Sequence, residues 1–252
     1  MKNTIRQIVV VLVILVTITI NILANALPIN GKNTGEISDT FNTYFVPAGY
    51  VFSIWGIIYI GLIAYAVYQA LPGQRENPRL QATGWWVALG GLANSAWIFL
   101  WHYERFVWTL VAMLTLLATL IIVYLRLRPT RAPVTAGETW AARVPFSIYL
   151  GWISVATIAN VSDVLDYVGW DRFGHSAGLW MILILVVVVV LASTMNFLRR
   201  DVAYAAVILW ALAGIGVKFP QSGIITTSIW LAFFFVLATL LISLFAIKPA
   251  EA

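Results

Sequence analysis

Eight apolar runs, each close to the length needed to cross a bilayer, divide the chain and leave almost nothing between them for a soluble domain. They cover approximately Ile5–Leu27, Val46–Leu71, Ala82–Trp101, Phe106–Leu125, Val144–Leu165, Ala177–Leu198, Val202–Val217 and Ile224–Ile247. A hydrocarbon core about 30 Å thick takes roughly 20 apolar residues as a helix, since inside lipid each backbone N–H and C=O must be bonded within its own segment. The expected fold is an all-α integral membrane protein of eight spans. Only Arg199, Arg200 and Asp201 separate the short seventh run from the sixth, which predicts a tight helical hairpin there. Composition agrees, with 62% hydrophobic and 10% charged residues and a mean hydropathy of +0.91, where soluble chains carry about 25% charged residues.

Loop charge orients the spans, because cytoplasmic loops keep Lys and Arg. With the N-terminus inside, the inner segments hold Lys2, Arg6, Arg75, Arg79, Arg126, Arg128, Arg131, Arg143, Arg199, Arg200 and Lys248. The outer loops hold only Lys32, Arg105, Arg172 and Lys218. This bias of 11 to 4 predicts a multi-pass protein of the cell (cytoplasmic) membrane with both ends cytoplasmic. Lys2, Arg6, the first apolar run and Ala24-Asn25-Ala26 also satisfy a cleavable signal peptide. Cleavage would leave seven spans with the remaining loops on the same sides. The longest loops are Pro28–Phe45, with turn signals at Asn30-Gly31 and Gly35, and Arg126–Arg143, with Pro129 and Pro133.

The residues that are missing exclude several chemistries. Without cysteine there is no disulfide, thiol nucleophile or thiolate metal site. His102 and His175 have no acidic neighbour at helical ligand spacing, and no basic cluster interleaved with aromatics suggests nucleic acid. No ionisable residue falls in mid-membrane, which argues against an ion-coupled pump and against carboxylate acid–base catalysis. Asp163, Asp166, Glu104 and Arg105 are expected to be solvated helix ends.

Uncharged polar and aromatic residues carry more information once each span has a direction. Asn21, Asn25, Asn94 and Asn160 all fall in the outer half of the bilayer, where an amide must bond across helices or to a ligand. Of the 12 tryptophans, only Trp85, Trp86 and Trp140 belong to the inner side, and an interfacial belt does not account for Trp55, Trp97 and Trp152. Helical spacing puts Gly90, Asn94, Trp97 and Trp101 on one stripe. It does the same for Phe52, Trp55 and Tyr59, and for Pro145, Tyr149, Trp152, Ala156 and Asn160. Convergence of those faces would make an aromatic chamber with a few amides, suited to a flat apolar ligand. Ordinary helix packing and interhelical hydrogen bonding explain the same stripes.

At these residues the chain resembles the TspO/MBR family, the tryptophan-rich sensory or translocator proteins. The stretch from Pro47 through Val51-Phe52, Trp55 and Tyr59 is similar to the family's second helix, Asn94 and Trp97 to its third, and Tyr149, Trp152, Ala156 and Asn160 to its fifth. Ala48 stands where the family has a second proline, Phe52 and Trp55 are one residue closer than usual, and the loop before them lacks the family's Trp-Tyr and Lys-Pro signature. The resemblance implies a five-helix binding unit over residues 1–165 and a three-helix addition over 166–252. It implies a sensor or receptor, often dimeric, with no tightly bound cofactor. The implied ligand is a tetrapyrrole such as a porphyrin, or a sterol-like molecule, held by Phe52, Trp55, Tyr59, Asn94, Trp97, Tyr149, Trp152 and Asn160. A permease for a small solute, a light- or oxygen-dependent porphyrin-degrading protein and an accessory subunit are the alternatives.

Overall fold

A computed structural model describes residues 2–27, 29–128, 134–221 and 223–245. Among them there is no strand, and eight long helices follow one another: α1 (Lys2–Ala26), α2 (Ile54–Ala70), α3 (Pro78–His102), α4 (Phe106–Leu127), α5 (Val144–Tyr167), α6 (Ala177–Arg199), α7 (Val202–Lys218) and α8 (Ile224–Phe245). Each apolar run thus became a helix. Six of the eight are long and apolar enough to cross a membrane. α3 has the length but carries Gln81, Thr83, Asn94 and Ser95, and α7 at 17 residues is shorter than the others. Arg131, Lys248, Pro28, Pro129, Pro133 and the expected end of the last run at Ile247 lie outside the described residues.

Capping chemistry explains where the helix ends depart from the hydropathy boundaries. α3 starts at Pro78 rather than Ala82, because the Asn77 side chain accepts the N–H groups of Arg79 and Leu80 and proline suits the first helical position. α2 begins late, after extended Ala48 and a 3₁₀ turn at Gly49–Ser53. α5 is prolonged backwards by Ala136–Glu138 and a π-helical turn at Thr139–Arg143. Glu138 and Arg143 hid this extension from hydropathy, yet Glu138 is buried, bonded by Arg79 Nε at 2.5 Å and Nη2 at 2.7 Å. The expected α6–α7 hairpin is present: Arg200 adopts a left-handed conformation that ends α6, and Asp201 caps α7 by accepting the Tyr204 N–H.

Small residues set the packing. α3 lies between α1 and α4, and a Cβ on Gly91 would stand 2.6 Å from Val13 of α1, while one on Gly90 would stand 2.8 Å from Thr119 Oγ1 of α4. α5 packs against α2, α4 and α7, and α6, α7 and α8 pack on one another. One buried hydrophobic cluster runs from Val10 in α1 to Val236 in α8, while Ile60, Leu231, Phe234 and many other large apolar side chains face outward, as lipid contact requires.

The start of α1, the turn after α2, the end of α4, the start of α5, the α6–α7 hairpin and the end of α8 share one side of the bundle, called here the basic side for its arginines. The segment between α1 and α2 closes the opposite side. Its short helix Thr34–Ser38 carries a capping box of Asn33 and Glu36. His102 holds it through Thr34 at 3.2 Å, Thr43 bonds Asp163 at 3.2 Å, and the Asn42 N–H bonds Asp166 at 3.0 Å. Asp163 is therefore buried and not solvated as expected, because this segment folds back over the end of α5.

An aromatic cavity on the side away from the basic face

Two hydrogen-bonded chains tie the helices together at the level of the asparagine layer. Asn21 Nδ2 donates to Asn94 Oδ1 at 2.6 Å, and Asn94 Nδ2 donates to the Tyr149 hydroxyl at 3.0 Å, linking α1, α3 and α5. Trp97 Nε1 donates to Asn160 Oδ1 at 3.3 Å, and Asn160 Nδ2 donates to Thr109 at 2.8 Å, linking α3, α5 and α4. The structural role weighed for these amides is thus filled, and it also fixes the aromatic rings around them.

The three aromatic faces do meet. Trp55 lies 5.7 Å from Tyr59, 6.1 Å from Tyr149 and 6.2 Å from Trp152, and Phe52 packs edge-on to Trp152 at 5.9 Å. Trp97 stacks on Trp101 at 5.1 Å. Beside this group is a cavity of about 690 Å³, within the few hundred to a thousand Å³ usual for small-molecule sites. Phe52 of the 3₁₀ turn and Trp55 and Tyr59 of α2 form one wall, Trp97 and Ile98 of α3 another, and Asn21, Ile22 and Asn25 of α1 the third. The Asn33–Asp39 segment closes the end, bringing Glu36 and Asp39 to the rim.

Among the described residues, the hydrogen bonds between α1 and α2 lie at the basic side. There Gln7 Nε2 donates to the Gln69 carbonyl at 2.5 Å and Gln69 Nε2 returns a bond to the Gln7 carbonyl at 3.0 Å. Toward the other side the two helices part around the void. A smaller space of about 60 Å³ adjoins it, sharing Thr34, Phe52 and Trp97 and reaching Trp152, Asn160 and Asp163. The buried Nε1 of Trp152 has no hydrogen-bond partner among the described residues.

A family model described as TSPO-like protein matches residues 7–245. The chain belongs to the TSPO-like family. That assignment makes it a multi-pass helical membrane protein, in agreement with its apolar helices. No curated protein and no solved structure matches it.

Of the eight expected site residues in this TSPO-like chain, Phe52, Trp55, Tyr59 and Trp97 line the main cavity, and Trp152 and Asn160 line the adjoining space. Asn94 and Tyr149 line neither and stand behind the wall, bonded to each other. Asn21 and Asn25 were visible as part of the asparagine layer but could not be assigned to the cavity, since their helix has no aromatic stripe. The Asn33–Asp39 segment gave only turn signals. Its capping box, Asn33 followed by Glu36, was the available clue to an ordered element there.

α7 shapes the site without lining either of these two spaces. Trp210 Nε1 donates to the Val51 carbonyl at 3.1 Å, the Ala48 N–H donates to the Gly214 carbonyl at 3.2 Å, and Tyr50 packs edge-on to Trp210 at 5.5 Å. These contacts hold the 3₁₀ turn that carries Phe52 and leads into Trp55 in the first turn of α2.

Proposed function

We propose that this TSPO-like protein is a membrane receptor or sensor that binds a planar hydrophobic ligand, a tetrapyrrole or sterol-like molecule, in the cavity between α1, α2 and α3. The observation that carries this reading is the 690 Å³ space walled by Phe52, Trp55, Tyr59 and Trp97, with the amides of Asn21 and Asn25 along α1 and the polar Asn33–Asp39 segment confined to its end. Flat rings stack on such walls, and amides fix their orientation. Residues 1–165 supply the binding unit in this proposal and residues 166–252 brace it, as the bonds from Trp210 and Gly214 to the start of α2 support. Both chain ends lie on the cytoplasmic face of the cell membrane in this reading, following the positive charge of the basic side.

The test is titration of the purified protein with protoporphyrin while tryptophan fluorescence is followed. Saturable quenching is expected, with affinity about 2- to 12-fold weaker in Trp55→Ala and in Tyr59→Ala, the range that one lost aromatic stacking contact gives. Both residues are only partly buried, so the variants should fold. Absence of quenching, or unchanged affinity in both folded variants, refutes the assignment.

A further inference from the structure

A second large cavity, about 430 Å³, shares no lining residue with the first and lies among α4, α5, α6 and α7. Leu117 and Ile121 of α4 form one wall, Val187 and Leu191 of α6 the other, and Leu150 and Ile158 of α5 the floor. The two hydroxyls on that floor are turned back on their own helix, Ser154 to the Leu150 carbonyl at 2.8 Å and Thr157 to the Ile153 carbonyl at 2.7 Å. The groove therefore offers an occupant apolar contact and few free hydrogen-bonding groups along its length.

Its end on the basic side is different. There Arg199, the last residue of α6, completes the lining. The nearest acid in sequence, Asp201, is already committed to Arg128 at 2.6 Å, and among the described residues Arg199 forms no ion pair. From Val187 to Arg199 the α6 wall rises about 18 Å at 1.5 Å per residue. That is close to one leaflet of a hydrocarbon core about 30 Å thick.

From this we infer that the α4–α6 groove holds one acyl chain of an anionic phospholipid from the leaflet on the basic side, with Arg199 at its phosphate. Groove length selects a chain from a single leaflet, and the uncompensated guanidinium at headgroup depth selects negative charge, as basic pockets between membrane helices do. The lipid would fill the gap between α4 and α6 and so join the α1–α5 bundle to the last three helices.

Native mass spectrometry of the full chain, released from detergent with equimolar phosphatidylglycerol and phosphatidylcholine of identical acyl chains, tests this. Wild-type protein should retain phosphatidylglycerol about 5-fold over phosphatidylcholine, the ratio expected for one basic residue at the headgroup. Arg199→Gln should abolish the preference. Leu191→Trp, which fills the groove from a partly exposed position, should lower retention of both lipids, and Val187→Trp on the same wall serves if the first variant loses helicity. Equal retention of the two lipids by wild type, a preference that survives Arg199→Gln, or retention unchanged by a folded groove-filling variant overturns the inference.

Discussion

Asp201 and Arg128 form a buried ion pair whose two members differ in burial, and this makes their separate removal unequal. Asp201 Oδ2 accepts from Arg128 Nη2 at 2.6 Å, from the Tyr124 hydroxyl at 2.8 Å and from Ser147 Oγ at 2.8 Å, and Oδ1 accepts the Tyr204 N–H at 3.2 Å. The carboxylate side chain is 3% exposed and the arginine side chain 23%. Asp201→Asn keeps the size and, through Oδ1, the cap, but puts an amide NH2, which only donates, where Oδ2 accepted three bonds. The Tyr124 and Ser147 hydroxyls can turn away, and the Arg128 guanidinium, over the Tyr124 ring at 4.4 Å and 2.7 Å from Ser147 Oγ, can still reach water. The loss is one charged hydrogen bond with no carboxylate left buried, about 1.5–3 kcal/mol. Arg128→Leu strands a carboxylate with no route to solvent, which costs about 3–5 kcal/mol when one member of a buried pair is removed. Equilibrium unfolding in mixed micelles with sodium dodecyl sulfate, followed by tryptophan fluorescence beside wild type, reads both losses. The reasoning fails if Arg128→Leu is no less stable than Asp201→Asn.

Two further outcomes concern the frame of the cavity. A Cβ on Gly214 would come 2.0 Å from Val51 Cγ2, so Gly214→Ala should cost about 1–3 kcal/mol of overpacking and weaken protoporphyrin binding; Val51→Ala in the same chain should restore both, and failure of that rescue would show that the close approach of α7 does not set the start of α2. Asn94→Leu removes the bonds to Asn21 and Tyr149 and should cost about 1 kcal/mol, near twice the average interhelical bond in a membrane. Mixed-micelle unfolding measures that loss, and a change below about 0.3 kcal/mol would mean that the Asn21–Asn94–Tyr149 chain does not hold the helices.

Much of the cavity's aromatic wall was legible because helical spacing is a local property: Phe52, Trp55 and Tyr59 share a face whatever packs against them. The identity of the facing wall was not. Helical spacing points to convergence of the stripes on α2, α3 and α5, but α5 approaches so closely that Tyr149 and Trp152 pack directly on Trp55, leaving no main void between them. The void lies on the other side, against α1, which has no aromatic stripe and contributes Asn21 and Asn25 there. Buried Glu138, Asp163 and Asp201 were equally hidden, since each is neutralised or hydrogen-bonded by a residue far away along the chain.

Sequence by itself determined the solvent, the helical class, the positions of eight helices and the charge asymmetry of the two sides, because the cost of placing a side chain or a bare peptide group in lipid is set residue by residue. It also marked which aromatic side chains share a helical face. Tertiary structure alone decided which faces close on one another and which stay apart. That choice rests on contacts between distant residues, such as the glutamine clamp between α1 and α2 and the Gly214 approach to Val51. Their geometry depends on how small residues let one backbone come near another, and no local pattern records it.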